Sequence, residues 1–383
     1  MAPDRDYLKD VLNRLLNTPS PSGMTDAVVH LACGELDELG IPYELTRRGA
    51  IRARLEGQRR TPARAVVAHL DTLGAMVKGF LPNGRLQVVP IGFWSSRFAE
   101  GARVTIYSDN GVIHAGTILP AKASGHTFNL EIDAQPVSWD NLELRIDART
   151  RSEAETRALG IHVGDTIAVH SQPEFGAEGF VNARHLDDKA GVAAILAALR
   201  AIRDAGAALP VDCFPLFTIS EEVGVGASHV MHGDVAELLS IDNGTVAEGQ
   251  YTCEYGVTIA MQDSSGPFDW HLTRRLLELC ANEGIAHSRD VFRFYRSDAA
   301  SALEAGNDIR TALVCFGLDA SHGHERVHLD SLDALARLLV AYLTSPPLFH
   351  RDRTPLGPLD DFPPGEMQTP DWHEHLPDPP PDD

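Results

Sequence analysis

The stretch NARHLDDKAGVAAILAALRAIRDAG, residues 182–206, decides the fold class. Val192, Ile195, Leu196, Leu199 and Ile202 recur at three- and four-residue spacing and mark one face of a helix, which opens directly after two adjacent carboxylates, Asp187 and Asp188. Just upstream, residues 77–174 carry GRLQVVPI, RVTIYSD, GVIHAGTIL, LELRIDA and DTIAVHS, short β-type segments separated by Gly, Asn and Asp turns. Before those, AVVAHLDT places four small or β-branched residues ahead of His69 and Asp71, the pattern of a buried strand delivering polar side chains at its end. The helix at 182–206 is therefore the point where an α/β pattern resumes after an all-β insert.

The same alternation extends both ways. DYLKDVLNRLL and AVVHLACGELDELG have helical periodicity, with NTPSPSG as the turn between them. Downstream, VDCFPLFTIS predicts a strand, ASHVMHGDVAEL a helix, LLSIDNG a strand end, and LTRRLLELCANEGI and SLDALARLLVAYL two further helices. Strands alternating with helices predict an α/β fold, a mostly parallel sheet flanked by helices, with an inserted small all-β domain. The expected division is 1–76 plus 175–347 for the catalytic part, 77–174 for the insert and 348–383 for a Pro/Asp-rich tail. From Arg351 onward the chain holds nine of its 24 prolines, nine acidic residues and two arginines. Such a segment buries too little apolar surface to offset its ordering entropy, so no chemistry is expected in it. No internal repeat is visible.

Composition narrows the function. At 383 residues and 43% hydrophobic content, the chain is large enough for a sizeable core. Lys and Arg number 33 against 54 Asp and Glu, and the net charge of −21 argues against nucleic acid and anionic membranes as partners. Five cysteines, odd in number and without a CxxC pair, fit reduced thiols. The N-terminus lacks a signal-peptide apolar core and no run approaches a membrane span, so a cytoplasmic location is expected.

The polar clusters fall at expected strand ends: His69 and Asp71, then Asp187 and Asp188, then Glu221 and Glu222, then Asp242, then the histidines of SHGHERVH. Carboxylates and imidazoles together form a ligand set for divalent ions, and two ions about 3.5–4 Å apart make the usual clamp for hydrolysis.

AHLDT, ARHLDDKAG, TISEEVGVGAS and SIDNG, in this order around a β insert, resemble the tetrahedral (glutamyl or deblocking) aminopeptidases, a family of di-metal metallopeptidases. The resemblance spans about residues 5–345. It implies a metal-dependent aminopeptidase hydrolysing N-terminal residues from peptides through a water activated by two metals, working as a large homo-oligomer. The expected cofactors are two divalent ions per subunit, zinc, cobalt or manganese, and the expected partner is a small peptide substrate. Carried over residue by residue, the metal ligands would be His69, Asp187 as the bridging carboxylate, Glu222, Asp242 on the opposite metal from Glu222, and His322. Glu221 would be the general base, and Asp71 would orient His69 through its other ring nitrogen. On this reading a cation removes the repulsion between the neighbouring Glu221 and Glu222.

Less specific elements keep two readings. Asp188 fits a cap for the helix that follows. In FRFYRSDAASALEAG, Asp298 and Arg296 either face the substrate, as a similar family element does, or form a salt-linked loop before a helix. For the last ligand His322 comes first, being the earliest histidine after the strand TALVCFG, with His328 and His324 behind it. Glu325 follows His322 by three residues instead of the family's four, with no intervening proline. That sub-pattern resembles a bacterial branch linked to the osmoprotectant N-acetylglutaminylglutamine amide. His114, His126, His162, His170, His185 and His271 read as surface or structural. The rival readings are a related di-metal carboxypeptidase or amide deacylase, which the early position of the β insert disfavours, and a non-catalytic scaffold homologue, which would lack a ligand or base.

Overall fold

The structure, a computed structural model, describes residues 1–360, 362 and 363. Its main body is a 12-stranded mixed sheet whose centre consists of four neighbouring parallel strands, Cys213–Thr218, Ala63–His69, Val235–Thr245 and Arg310–Asp319. Antiparallel strands extend it on both sides, Ile51–Ala53 beside Cys213–Thr218, and Val257–Asp263 and Glu325–His328 beside Arg310–Asp319. The strand Ala63–His69 is buried at all seven positions, which is why its centre, residues 65–68, is a continuous apolar run with no polar alternation. Its one long polar side chain, Arg64, pairs with Glu237 at 2.9 Å and donates to the main-chain oxygens of Tyr342, Ser345 and Pro346.

From Ala63–His69 the chain passes first to one neighbour, Cys213–Thr218, and then crosses to the other, Val235–Thr245. Loops leaving adjacent strands therefore diverge at the end of this strand, and a crevice opens there. Ser240 and Val67 form the last pair between the two strands, so Asp242 and His69 each stand two residues beyond it.

The helix Leu186–Asp204 lies against this centre. Beyond the apolar face read from sequence, alanines at the remaining positions let the helices Arg5–Leu16 and Leu329–Thr344 approach, so it is buried on nearly every side. Gly191 belongs to the same packing, because a Cβ there would meet Asp188 Oδ1 at 2.2 Å.

The insert is a closed six-stranded barrel of Gly74–Phe80, Leu86–Ile91, Leu142–Ile146, Ile113–Pro120, Arg103–Tyr107 and Thr166–Val169. Alternate residues such as Leu86 and Val88, Val104 and Ile106, and Leu142 and Leu144 point into a core of its own. The boundary expected between 76 and 77 falls inside the first barrel strand.

Two sequence expectations fail here. ASHVMHGDVAEL is not a helix: only Gly226–His229 makes a 3-10 turn, Gly233 breaks the chain at φ +69, and Val235 begins the 11-residue strand. Pairing in the sheet centre overrides the helical propensity of Ala236–Leu238. The tail also starts later than expected, since Leu348 and Phe349 are buried and Asp352 pairs with Arg310 at 2.8 Å. Most of the Pro/Asp-rich tail, residue 361 and residues 364–383, lies outside the described residues.

Candidate metal centre

His69 ends its strand fully buried, and its Nδ1 donates to the main-chain oxygen of Asp71 at 2.9 Å. That bond directs Nε2 toward Asp187 Oδ1 at 3.2 Å, to which the protonated ring donates, and Glu221 Oε2 at 3.8 Å; in the neutral ring Nε2 carries the free lone pair. On the far side His322 repeats the pattern. Its Nδ1 donates to the main-chain oxygen of Phe93 at 2.8 Å, and its Nε2 faces Asp187 Oδ2 at 3.4 Å and Glu222 Oε2 at 3.8 Å. The Asp187 carboxylate thus stands between two imidazoles, one oxygen toward each. Asp242 joins the His69 side, where ligand atoms of His69, Asp187 and Asp242 all lie within 4.8 Å of one another.

Glu325, buried at the first strand position after the His322 loop, ties the centre together. It accepts from the main-chain N–H of His322 at 2.9 Å and from those of Leu186 and Asp187 at 2.7 and 3.3 Å. Asn243 donates to Asp187 Oδ2 at 2.8 Å and to Asp242 Oδ1 at 3.1 Å, and Tyr295 donates to the Asn243 carbonyl at 2.7 Å. Neither residue was picked out from sequence, although Asn243 sits inside the SIDNG motif beside Asp242.

The Asp71 carboxylate does not hold His69. Its Oδ1 is 3.7 Å from His69 Nδ1 and instead accepts from Glu221 N at 3.1 Å, while Oδ2 accepts from Ser22 Oγ at 2.5 Å and Glu222 N at 3.3 Å. The main-chain oxygen of Asp71 orients the imidazole, and its carboxylate fastens the turn that carries the two glutamates. Asp188 reaches back to His69 N at 3.1 Å rather than capping its own helix, and its Oδ1 has no hydrogen-bond partner among the described residues.

Electrostatically the centre is short of positive charge. Burial and then the neighbouring Asp187 charge push Asp242 up to about 8. Burial likewise pushes Glu222 up to about 8, with His322 opposing and Asp187 adding to the rise. Burial, partly offset by His69, also holds Glu221 well above the usual carboxyl range. For His69 burial acts downward, but the bond to Asp187 and the charge of Glu221 hold it well above its usual value. Four buried or half-buried carboxylates around only two imidazoles would be strongly destabilising as ionised groups on their own. The same donors, carboxylate oxygens and imidazole Nε2 atoms, suit borderline divalent cations, so these residues fit a metal pair.

A cavity of about 700 Å³ opens over the centre, lined among others by Glu221, Asp242, His322, Phe292, Tyr295 and Asp298. Asp298 and Arg296 both reach its wall. Asp298 is 3% exposed and accepts from Thr218 Oγ1 at 2.7 Å, and Arg296 is paired with Glu304 at 2.5 Å. His328 points elsewhere: its Nδ1 accepts from Asp330 N at 3.1 Å, capping the last long helix, and its Nε2 donates to Glu178 O at 2.9 Å. His324 is exposed. His185 donates to Val169 O and His170 bonds Thr105, so both rings are engaged outside the ligand set.

A family model described as M42 glutamyl aminopeptidase matches residues 49–338. YhfE of Bacillus subtilis (strain 168), provisionally named an aminopeptidase, is 35% identical over 337 residues, covering 88% of this chain and 97% of that one. Among solved structures, a TET aminopeptidase from Thaumarchaeota archaeon SCGC AB-539-E09 superposes with a TM-score of 0.80 at 20% identity, covering 88% of this chain and 96% of that one. The Pyrococcus horikoshii TET1 peptidase, described as assembling into a tetrahedron or a large octahedral shell, has a TM-score of 0.76 at 22% identity, with 88% and 99% covered. By its match over most of its length, the chain belongs to the M42 glutamyl aminopeptidase family of metallopeptidases.

Proposed function

We propose that the protein is a two-metal aminopeptidase that removes N-terminal residues from small peptides. The observation that carries this reading is the Asp187 carboxylate lying 3.2 Å from His69 Nε2 and 3.4 Å from His322 Nε2. Asp242 flanks the first imidazole and Glu222 the second. His69, Asp187 and Asp242 would hold one divalent ion, and His322, Asp187 and Glu222 the other. When bound, the two ions would make water acidic enough to attack and would polarise the scissile carbonyl.

The protein's own groups do the rest. Glu221 lines the cavity beside the centre and would take a proton from the attacking water, then return it to the departing amine. The Asp71 carboxylate fixes the main chain at Glu221, so that the base keeps its place. The aromatic wall of Phe292 and Tyr295 would exclude bulk water from the bound peptide end. Asp298 and Arg296 are proposed to face the substrate, Arg296 from within its pair with Glu304. The barrel is proposed as the unit of access to the site and of assembly into a large homo-oligomer, a kind of assembly that the TET1 peptidase forms. Five unpaired cysteines, and no described helix long and apolar enough to cross a membrane, support a cytoplasmic setting. The family match does not support the osmoprotectant branch.

The test is a panel of aminoacyl and dipeptidyl substrates, free and N-acetylated, given to metal-stripped protein with zinc, cobalt or manganese added back. Hydrolysis of free but not acetylated substrates, restored by metal, is expected. Equal turnover of acetylated substrates would point to a deacylase, and metal-independent turnover would overturn the reading.

A further inference from the structure

The two imidazoles of the centre are oriented by different parts of the chain. His69 is held locally, by the main-chain oxygen of Asp71 two residues on. His322 is held from the barrel, by the main-chain oxygen of Phe93 across 229 residues of sequence. Its own loop is a poor support. Ala320 and His322 both adopt left-handed backbone, φ 58 and φ 64, which non-glycine residues enter at a cost. Glu325 fixes the main chain of His322 but not the rotation of its ring.

The barrel segment that supplies the oxygen is firmly seated. Gly92, at φ +83, brings its backbone so close to the centre that a Cβ would meet Leu73 Cδ2 at 2.5 Å and the main-chain oxygen of Glu222 at 3.3 Å. Trp94 is buried, donates from Nε1 to Gly74 O at 3.1 Å, and accepts at its own carbonyl from Trp139 Nε1 at 3.3 Å. The two indoles meet edge to face at 4.9 Å. Phe98, in the short helix Ser96–Ala99 that follows, lies against Gly323, where a Cβ would approach its ring at 3.3 Å. The Phe93 side chain, by contrast, is 80% exposed, so the tight seating of residues 92–98 serves its carbonyl rather than its ring. This segment touches Glu222 and His322, the two residues on one side of Asp187.

We propose that Phe93 is a positioning residue: its main-chain oxygen, clamped by Gly92 and Trp94, aims His322 Nε2 at the ion shared with Glu222, so that the barrel sets the affinity of that site alone. The inference rests on the two-metal reading of the centre. It makes the insert part of the metal-binding apparatus although it contributes no ligand. Groups that orient a ligating imidazole are worth about 10–100-fold in metal affinity.

The experiment titrates Co²⁺ into the metal-stripped full-length protein by calorimetry. Wild type should bind two ions per chain; binding of none would overturn the two-metal reading itself, before any variant is considered. In Gly92→Ala, where the new methyl group displaces the segment, one site should weaken about 10–100-fold and the other should change less than about twofold. In a His322→Ala background, which already lacks that site, Gly92→Ala should leave the remaining affinity within about twofold, because the two changes act on the same site. Equal weakening of both sites, or no weakening of either, overturns the proposal while leaving the two-metal reading intact. Should Gly92→Ala fail to give a native circular dichroism spectrum, Trp94→Phe decides. It keeps an aromatic ring at the position but deletes the bond to Gly74, and should weaken one site several-fold; unchanged binding would overturn the proposal.

Discussion

Replacing Asp71 by Asn separates two roles that one residue combines. The side chain is fully buried, and its two oxygens accept three donors: Oδ1 from Glu221 N, and Oδ2 from Ser22 Oγ and Glu222 N. An asparagine in the same place has one acceptor oxygen and an NH2 group. If its oxygen faces Ser22 and Glu222, the N–H of Glu221 confronts another donor; if it is turned over, the N–H of Glu222 does. The smaller loss is one buried main-chain donor left unsatisfied, about 1–3 kcal/mol of stability. The glutamate turn loses its tether on at least one side, and a displacement of about 1 Å at a catalytic group can cost about 10²-fold in turnover.

The main-chain oxygen that holds His69 Nδ1 is untouched by this substitution. Metal content should therefore stay at the wild-type value while stability and turnover fall together. Guanidinium denaturation of metal-loaded protein, elemental analysis and steady-state hydrolysis of an aminoacyl anilide measure the three quantities. A variant that keeps its stability and turnover but loses an ion would refute the reasoning. It would mean that the carboxylate, not the carbonyl, orients the imidazole, as sequence spacing alone suggests.

Glu221→Gln should lower turnover by at least ~10²-fold with metal content unchanged, whereas Glu222→Gln should also lose metal; equal metal loss in both would reverse the two assignments. His322→Ala should lose one ion and nearly all activity, and His328→Ala should keep both ions with a less stable C-terminal helix, read from metal analysis and thermal melts. Arg64→Ala strands the buried Glu237 and frees three carbonyls, so it should destabilise by about 3–5 kcal/mol in chemical denaturation. Burial pushes His185 down to about 3 from the usual 6.5. Between those values the unfolded chain takes up a proton that the native site refuses, so stability is lost as pH falls through this window. His185→Asn should fall less steeply than wild type in melts from pH 6.5 to pH 4.

Local pattern accounts for much of what the sequence revealed. Helical spacing marked the helices at both ends of the chain, and turn-bounded β segments marked the barrel, because each signal is confined to one element. The ligand candidates were visible because polar residues interrupt apolar strands at their ends, where a sheet exposes them. What stayed hidden depends on tertiary pairing. Val235–Thr245 took its first residues from a stretch with helical character, because the centre of the sheet offered them partners. The carbonyls of Asp71 and Phe93 have no sequence signature at all, since every residue carries one. Asn243 was hidden by its neighbour, whose carboxylate drew the assignment. The start of the tail lies later for a related reason: Leu348 and Phe349 are only two apolar residues, but they join the main core, Phe349 against His271 and Arg310.

The adjacency of Glu221 and Glu222 follows from how the centre is divided. Successive residues on a turn point in different directions, so one carboxylate reaches His69 Nε2 and the next reaches His322 Nε2, each at 3.8 Å. Asp187 divides itself similarly, with one oxygen toward each imidazole. Donors can then be compared side by side. Toward His322 stand Asp187 and Glu222; toward His69 stand Asp187, Asp242 and Glu221. Setting aside one carboxylate from the second group leaves each side with one imidazole, a share of Asp187 and one further carboxylate. Asp242 is the poorer choice to set aside, since Asn243 binds its Oδ1 twice and it lies deep in a strand at 3% exposure. Glu221 has no hydrogen-bond donor on its carboxylate among the described side chains, and its side chain is more exposed at 15%. A proton carrier needs that freedom and access, whereas a ligand needs to be fixed. On the proposed reading the like charges sit together because one turn can then serve both sides, a buried carboxylate facing His322 and a more exposed one facing His69.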